Sequence, residues 1–211
     1  MALRHVIAAV VDVNALAAVT KPAVAARTIE EPAYQVTSTH AGFEVRQYGP
    51  RIVAQVRIVG DAREASSAGF RVLAAYIFGG NRAKSSIAMT APVGQQRAGQ
   101  RIAMTAPAPQ QRDGEEWLVT FTMPSTFTLA TLPEPVDSRV ELREIPGQRI
   151  AVWRFSGAPS AKVIEARKRE LVDRVVGEGL TPVGAVDYAR YDAPWVLPPL
   201  RRNELWVELA P

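Results

Sequence analysis

A chain of 211 residues with 47% apolar and 22% charged residues is ordinary globular material, long enough for one large domain or two small ones. It has no cysteine and only His5 and His40, which excludes disulfides, thiolate metal sites and cysteine nucleophiles and leaves the redox compartment open. The net charge of +4 is dispersed, and the densest run, Arg167-Lys168-Arg169, carries Glu165 and Glu170 at Glu-first i,i+4 spacing to Arg169 and Arg174, so it reads as a solvated helix face and not a nucleic-acid patch.

Residues 1–26 differ from the rest. Arg4 precedes an apolar-rich run from Val6 to Val19, and Ala23-Val24-Ala25 has the small-x-small form of a cleavage site. The segment reads as a signal peptide, which implies a periplasmic or secreted protein. Asp12 and Asn14 interrupt the run, and the alternative is a disordered or helical leader on a cytoplasmic one. No other stretch is long and apolar enough to span a bilayer, so no stable membrane anchoring is expected once the leader is gone.

From Glu44 to Gly60 the pattern predicts strand, tight turn at Gly49-Pro50, strand. A helix follows from Asp61, with Glu64 at capping-box spacing, to Phe78, where Gly79-Gly80-Asn81 stops it. Strands are predicted at Ser86–Thr90 and Trp117–Met123, with Pro92 ending hydrogen bonding and Glu115-Glu116 as loop charges. IAMTAPVGQQR (Ile87–Arg97) recurs as IAMTAPAPQQR (Ile102–Arg112), nine of eleven positions identical, and the second copy reads as a lengthened hairpin. After a proline-stiffened connector, Thr131–Asp137, the opening pattern returns. Val140–Gly157 matches Glu44–Gly60 at a shift of 97 positions, with a turn at Pro146-Gly147. A second helix over 160–176 and strands at Ala185–Tyr191 and Glu204–Leu209 complete it. Two ββαββ units, about 42–130 and 138–210, each with a one-sided sheet, bury their faces by packing together. The expected fold is α+β: a distorted antiparallel β-barrel with two outer helices, in one domain over 32–211, expected to be a monomer.

The first helix is unusually apolar. Phe70, Val72, Leu73, Ala74, Tyr76, Ile77 and Phe78 cover roughly 240° of its circumference, where about 100° suffices for a surface helix. One sheet covers only part of that arc. Either a flat apolar ligand or the C-terminal loop, Trp195 to Pro199, is expected to cover the rest.

FEVRQYGP (Phe43–Pro50), GFRVLAAYIFGGN (Gly69–Asn81), IAMTAPV, FTMP (Phe121–Pro124), AVWRFSG (Ala151–Gly157), YARYDAP (Tyr188–Pro194) and RRNELW (Arg201–Trp206) together resemble the SOUL heme-binding family, in its order. The resemblance implies the duplicated barrel, shared with effector-binding-like folds, and a heme or related tetrapyrrole in an apolar groove beside the first helix. Carried onto this chain, the groove comprises Phe70, Leu73, Ala74, Ile77 and Gln47, with Arg71 and Arg201, helped by Arg202, pairing the propionates. Gln47 stands where a relative has its axial histidine, and glutamine is a poor iron ligand, so heme is expected without axial histidine. His40, seven residues upstream, is expected on the opposite strand face. Tyr48 and Met89 are the other residues able to reach iron, and both read as core.

Covering about 400 Å² of ligand at ~25 cal/mol/Å² yields ~10 kcal/mol gross, against an association cost of about 4–15 kcal/mol. Such binding suits a carrier or buffer. No Gly-x-Ser-x-Gly elbow is present, neither histidine has an evident serine and acid beside it, and no catalysis is expected. The alternative is an effector-binding module for other flat hydrophobic or cationic molecules, although the chain lacks a helix-turn-helix pattern.

Overall fold

The computed structural model describes residues 29–97, 115–193 and 195–211. The leader at 1–26 and the second IAMTAP copy therefore lie outside the described residues. In chain order the elements are β1 (Tyr34–His40), β2 (Phe43–Tyr48), β3 (Arg51–Gly60), α1 (Ala62–Ile77), β4 (Val93–Arg97), β5 (Glu115–Thr122), β6 (Glu141–Ile145), β7 (Gln148–Ser156), α2 (Ala161–Gly177), β8 (Pro182–Arg190) and β9 (Arg202–Leu209).

The strands form one antiparallel sheet in the order β1-β2-β7-β9-β8-β4-β5-β3-β6. Among the described residues strands β1 and β6 are its edges, so the sheet is not closed into the expected barrel. From β2 onward the order is unchanged when β2, β3, β4 and β5 are exchanged for β6, β7, β8 and β9. The two predicted tight turns do not make hairpins. Strand β2 pairs with β1 and β7, while β3 pairs with β5 and β6. At Gly49-Pro50 the chain turns a corner, because Pro50 has no N–H to donate across the turn. The Pro146-Gly147 corner lies beside it, close enough that a Cβ at Gly147 would stand 3.1 Å from the Tyr48 carbonyl oxygen.

Helix α1 starts where the sequence places it. The Asp61 carboxylate accepts from the Arg63 and Glu64 amides, both at 2.8 Å, and satisfies two free N–H groups of the first turn. Asn81 closes the other end, its Nδ2 donating to the Tyr76 and Ser85 carbonyls at 3.0 and 2.7 Å. Ala65, Gly69, Leu73, Tyr76 and Ile77 recur at three- and four-residue steps and bury one face of the helix. That face meets Ala54, Val56, Val119 and Phe121 of β3 and β5. Helix α2 covers β2, β7 and β9 in the same way, with Leu171 and Val175 on Val45, Ala151, Leu205 and Val207. Pairing registers put both helices on one face of the sheet. Tyr48, Ile150, Val152, Ala189 and Trp206 pack on the other.

Several local expectations are corrected. Ser86–Thr90 is not a strand: the Ile87 amide donates to the Ile77 carbonyl at 2.7 Å and Ala91 to Glu30 at 2.9 Å, so its backbone serves the helix end and the N-terminal segment. The strand begins at Val93, after Pro92, whose missing N–H is harmless just before a strand. Glu115 and Glu116 open β5 and pair with Arg97 and Arg57 at 3.0 and 3.5 Å. On α2, Glu170 pairs with Arg174 as expected, whereas Glu165 takes Lys168 instead of Arg169. Arg167 turns inward over the Phe155 ring, 4.4 Å from its centroid.

Candidate functional site

The helical face chosen from the sequence divides in two. Leu73 and Ile77 are sealed between α1 and the sheet and belong to the core, which removes them from any groove. Phe70, Arg71, Ala74 and Phe78 turn outward. Phe70 is 38% exposed, its ring edge-on to Phe121 at 5.4 Å, and Phe78 is 64% exposed. Phe70, Ala74 and Phe78 are four residues apart and form one apolar line along the helix.

The C-terminal loop does not cover that line by burying its own apolar residues. Trp195 is 84% exposed, and Leu197 and Leu200 are exposed with it. The loop leaves β8 next to α1, since the Arg190 guanidinium donates to the Ser66 hydroxyl, one turn before Phe70. Arg201 braces the loop, its Nε donating to the Val196 carbonyl at 2.7 Å. Helix line and loop are thus both exposed, and the end of the strand that feeds the loop is tied to α1 at Ser66.

Gln47 is not brought to this line. It is exposed on β2, on the helix-bearing face, where its Nε2 donates to the Tyr48 carbonyl at 3.3 Å, while α1 packs on β3 and β5. His40 belongs to a different strand from Gln47. It lies opposite Phe43 in the ladder and thus shares a face with Gln47, contrary to the spacing argument. Both ring nitrogens of His40 are engaged, Nδ1 with Glu178 and Nε2 with Ser38, each at 3.0 Å. Tyr48 is buried on the face away from the helices, and Met89 packs at the edge of the α1 core.

The sheet's other face holds a charge cluster that the sequence reading missed. Glu204, fully buried, accepts from Tyr191 at 2.7 Å, Trp206 Nε1 at 2.8 Å, Arg46 at 3.1 Å and Arg202 at 2.8 Å. Arg202 also holds Glu31 at 2.9 Å and lies 3.7 Å from the Tyr191 ring centroid. Burial opposes the Glu204 charge, yet Arg46 and Arg202 outweigh it and hold the carboxyl below its ordinary range. Arg202 is thus a structural partner of Glu204 and not a surface helper for a ligand. The clue was the alternation Arg202, Glu204, Trp206, which puts all three on one strand face.

Beside this cluster the same face opens into a hollow of about 480 Å³. Ile150, Leu118 and Trp206 supply its apolar lining and Arg51, Arg57, Asp187 and Glu208 its charges, while the Arg97 guanidinium lies on the helix-bearing face, 5.4 Å from the Trp117 ring centroid. Arg51 donates to Gln148 at 2.7 Å through Nη2, while Nη1 is buried with no hydrogen-bond partner among the described residues. Burial pushes the Asp187 carboxyl up to about 6, against the pull of Lys168 and Arg51. Among the described residues no group of three or more His, Asp or Glu side chains is arranged to hold a metal ion.

The outward α1 line thus presents two exposed aromatic rings with a small residue between them, and Arg71 follows Phe70 on the exposed side. No curated protein matches the sequence. Solved structures with this fold include the C-terminal domain of EcmrR, at 10% identity and TM-score 0.55 over 84% of this chain and 98% of that one. Another is a hydrolase from Listeria innocua, at 17% identity and TM-score 0.53 over 82% of this chain and 94% of that one. At these identities the likeness is one of fold alone. The sequence itself matches the model of the SOUL heme-binding protein over residues 29–208, nearly the whole described chain, and the protein belongs to the SOUL family.

Proposed function

We propose that the protein carries or buffers a heme-type tetrapyrrole, without catalysis, on the outward line of α1 formed by Phe70, Ala74 and Phe78. The reading includes a leader that sends the chain to the periplasm or beyond, and a descent from two copies of one ββαββ plan. The exchange-invariant strand order supports the second of these. The observation that carries the functional reading is the uncovered apolar line on α1, facing away from the core in a SOUL family member, with an exposed Trp195 loop rooted beside it. In a bound complex Arg71 would face a propionate. The absence of histidine at position 47 makes contact area the main source of affinity, so binding in the micromolar range or weaker is expected.

Titrating the protein with hemin and with iron-free protoporphyrin, followed by absorbance and Trp fluorescence, tests this. Similar affinities for the two are expected. Phe70→Asp is expected to abolish both while leaving the melting temperature within a few degrees. Preference for hemin by tenfold or more would reveal an axial ligand and contradict the contact-only mode. Failure of both to bind would favour the second reading, an effector-binding module for other flat or cationic molecules, for which the likeness in fold to the EcmrR C-terminal domain speaks.

A further inference from the structure

The hollow on the face opposite the helices plays no part in tetrapyrrole binding on α1. Its volume of about 480 Å³ lies within the range of about 300–1,000 Å³ usual for small-molecule sites. Its residues come from both halves of the chain. Arg51 and Arg57 are from β3, Gln96 and Arg97 from β4, Gln148 and Ile150 from β7, Asp187 from β8, and Trp206 and Glu208 from β9.

Most of these charges have partners. Arg57 pairs with Glu116 and Arg97 with Glu115. Arg51 stands apart: one nitrogen is held by Gln148, the Tyr48 ring lies 5.5 Å from its guanidinium carbon, and the remaining terminal nitrogen is buried without an acceptor among the described residues. Leaving a buried charged donor unmatched costs free energy, and folded chains rarely keep one without a use. The nearby carboxyl does not resolve the mismatch. Asp187, whose carboxyl burial pushes up to about 6, forms no ion pair with Arg51. Across the edge formed by Ile150, Leu118 and Trp206, Arg51 is thus the guanidinium of the hollow that no carboxylate among the described residues pairs, Arg57 being held by Glu116.

We propose that this hollow is a second binding site, taking a small aromatic molecule with a single carboxylate or similar oxyanion, whose negative group pairs with Arg51 while its flat body lies against Trp206 and Ile150. The site is separate from the α1 line, because the sheet stands between them. An arginine fork suits a two-oxygen acceptor. The open character of the hollow admits ligands far smaller than a tetrapyrrole.

The test uses the full chain and two matched probes, 2-naphthoate and 2-naphthylmethylammonium, titrated calorimetrically at pH 7. Naphthoate is expected to bind at least tenfold more tightly than the cation. Arg51→Met should weaken naphthoate at least tenfold, and Arg51→Lys, which keeps the charge, should recover part of that loss. Phe70→Asp should leave naphthoate binding unchanged, and saturating hemin should not displace it. Equal binding to R51M and R51K, or preference for the cation, would overturn the proposal. Loss in F70D or displacement by hemin would show one shared site and also overturn it. The α1 reading fails separately, through hemin binding that survives F70D while naphthoate behaves as expected.

Discussion

Glu204 makes five polar contacts from a position with no solvent exposure, and two guanidiniums neutralise it. Removing one partner of such a buried pair costs about 3–5 kcal/mol, because the other charge is left uncompensated. Glu204→Gln is therefore expected to lower unfolding stability by that amount in a urea melt at pH 7. The pH dependence has a definite sign. The folded carboxyl titrates below the ordinary 4.5, so its contribution is complete above about pH 4.5 and is lost as the pH falls through the depressed value. The wild type should lose stability steeply across that acid range, and the Gln variant should show a shallower slope. Alternation along β9 places Arg202, Glu204 and Trp206 on one face, but the full cluster and the mismatch at Arg51 were not legible beforehand. Arg46 reaches Glu204 only through the pairing of β2 with β7 and β7 with β9, which no spacing along the chain encodes.

At the scale of an element, α1 was the best-read part of the molecule and also the most misjudged. Its ends followed from Asp61 and Gly79-Gly80-Asn81, since capping chemistry is local. Its apolar arc was real, but the share facing the sheet was unknown until the sheet was placed. Gly69 fixes that share. A Cβ there would stand 2.6 Å from Val119 Cγ2, so the helix rests on β5 at its one side-chain-free position. Gly69→Ala gains up to about 1 kcal/mol of helix propensity and should still be net destabilising, because overpacking costs about 1–3 kcal/mol. A lower melting temperature for G69A, with an unchanged or raised one for Gly177→Ala at the end of α2, where the added Cβ meets nothing, checks this. That the two predicted tight turns join strands which do not pair has an equally physical origin. A Gly-Pro step marks a change of direction and does not say which strand lies alongside.

Across the whole molecule, the crosswise pairing leaves neither half self-sufficient. Strand β2 needs β7, β3 needs β6, and β4 meets β8 at the centre of the sheet. Residues 29–130 produced alone are expected to show no cooperative thermal transition, and mixing them with residues 131–211 should restore one, measured by circular dichroism. A transition in the isolated fragment would mean that local packing of α1 on β3 and β5 suffices. The shift of 97 positions exposed the likeness of the halves, but similar segments pair within a copy or between copies with the same sequence signature. Only the coordinates distinguish the two.

The corner at Gly49-Pro50 has a consequence during synthesis. A nascent chain emerging from the ribosome presents Phe43–Tyr48 early, yet one of its ladder partners, Gln148–Ser156, is translated about a hundred residues later. Until then Phe43 and Val45 have β1 beside them, with the His40 ring stacked on Phe43, but lack the cover of β7 and α2, and that interval is when a holding chaperone would find its binding target.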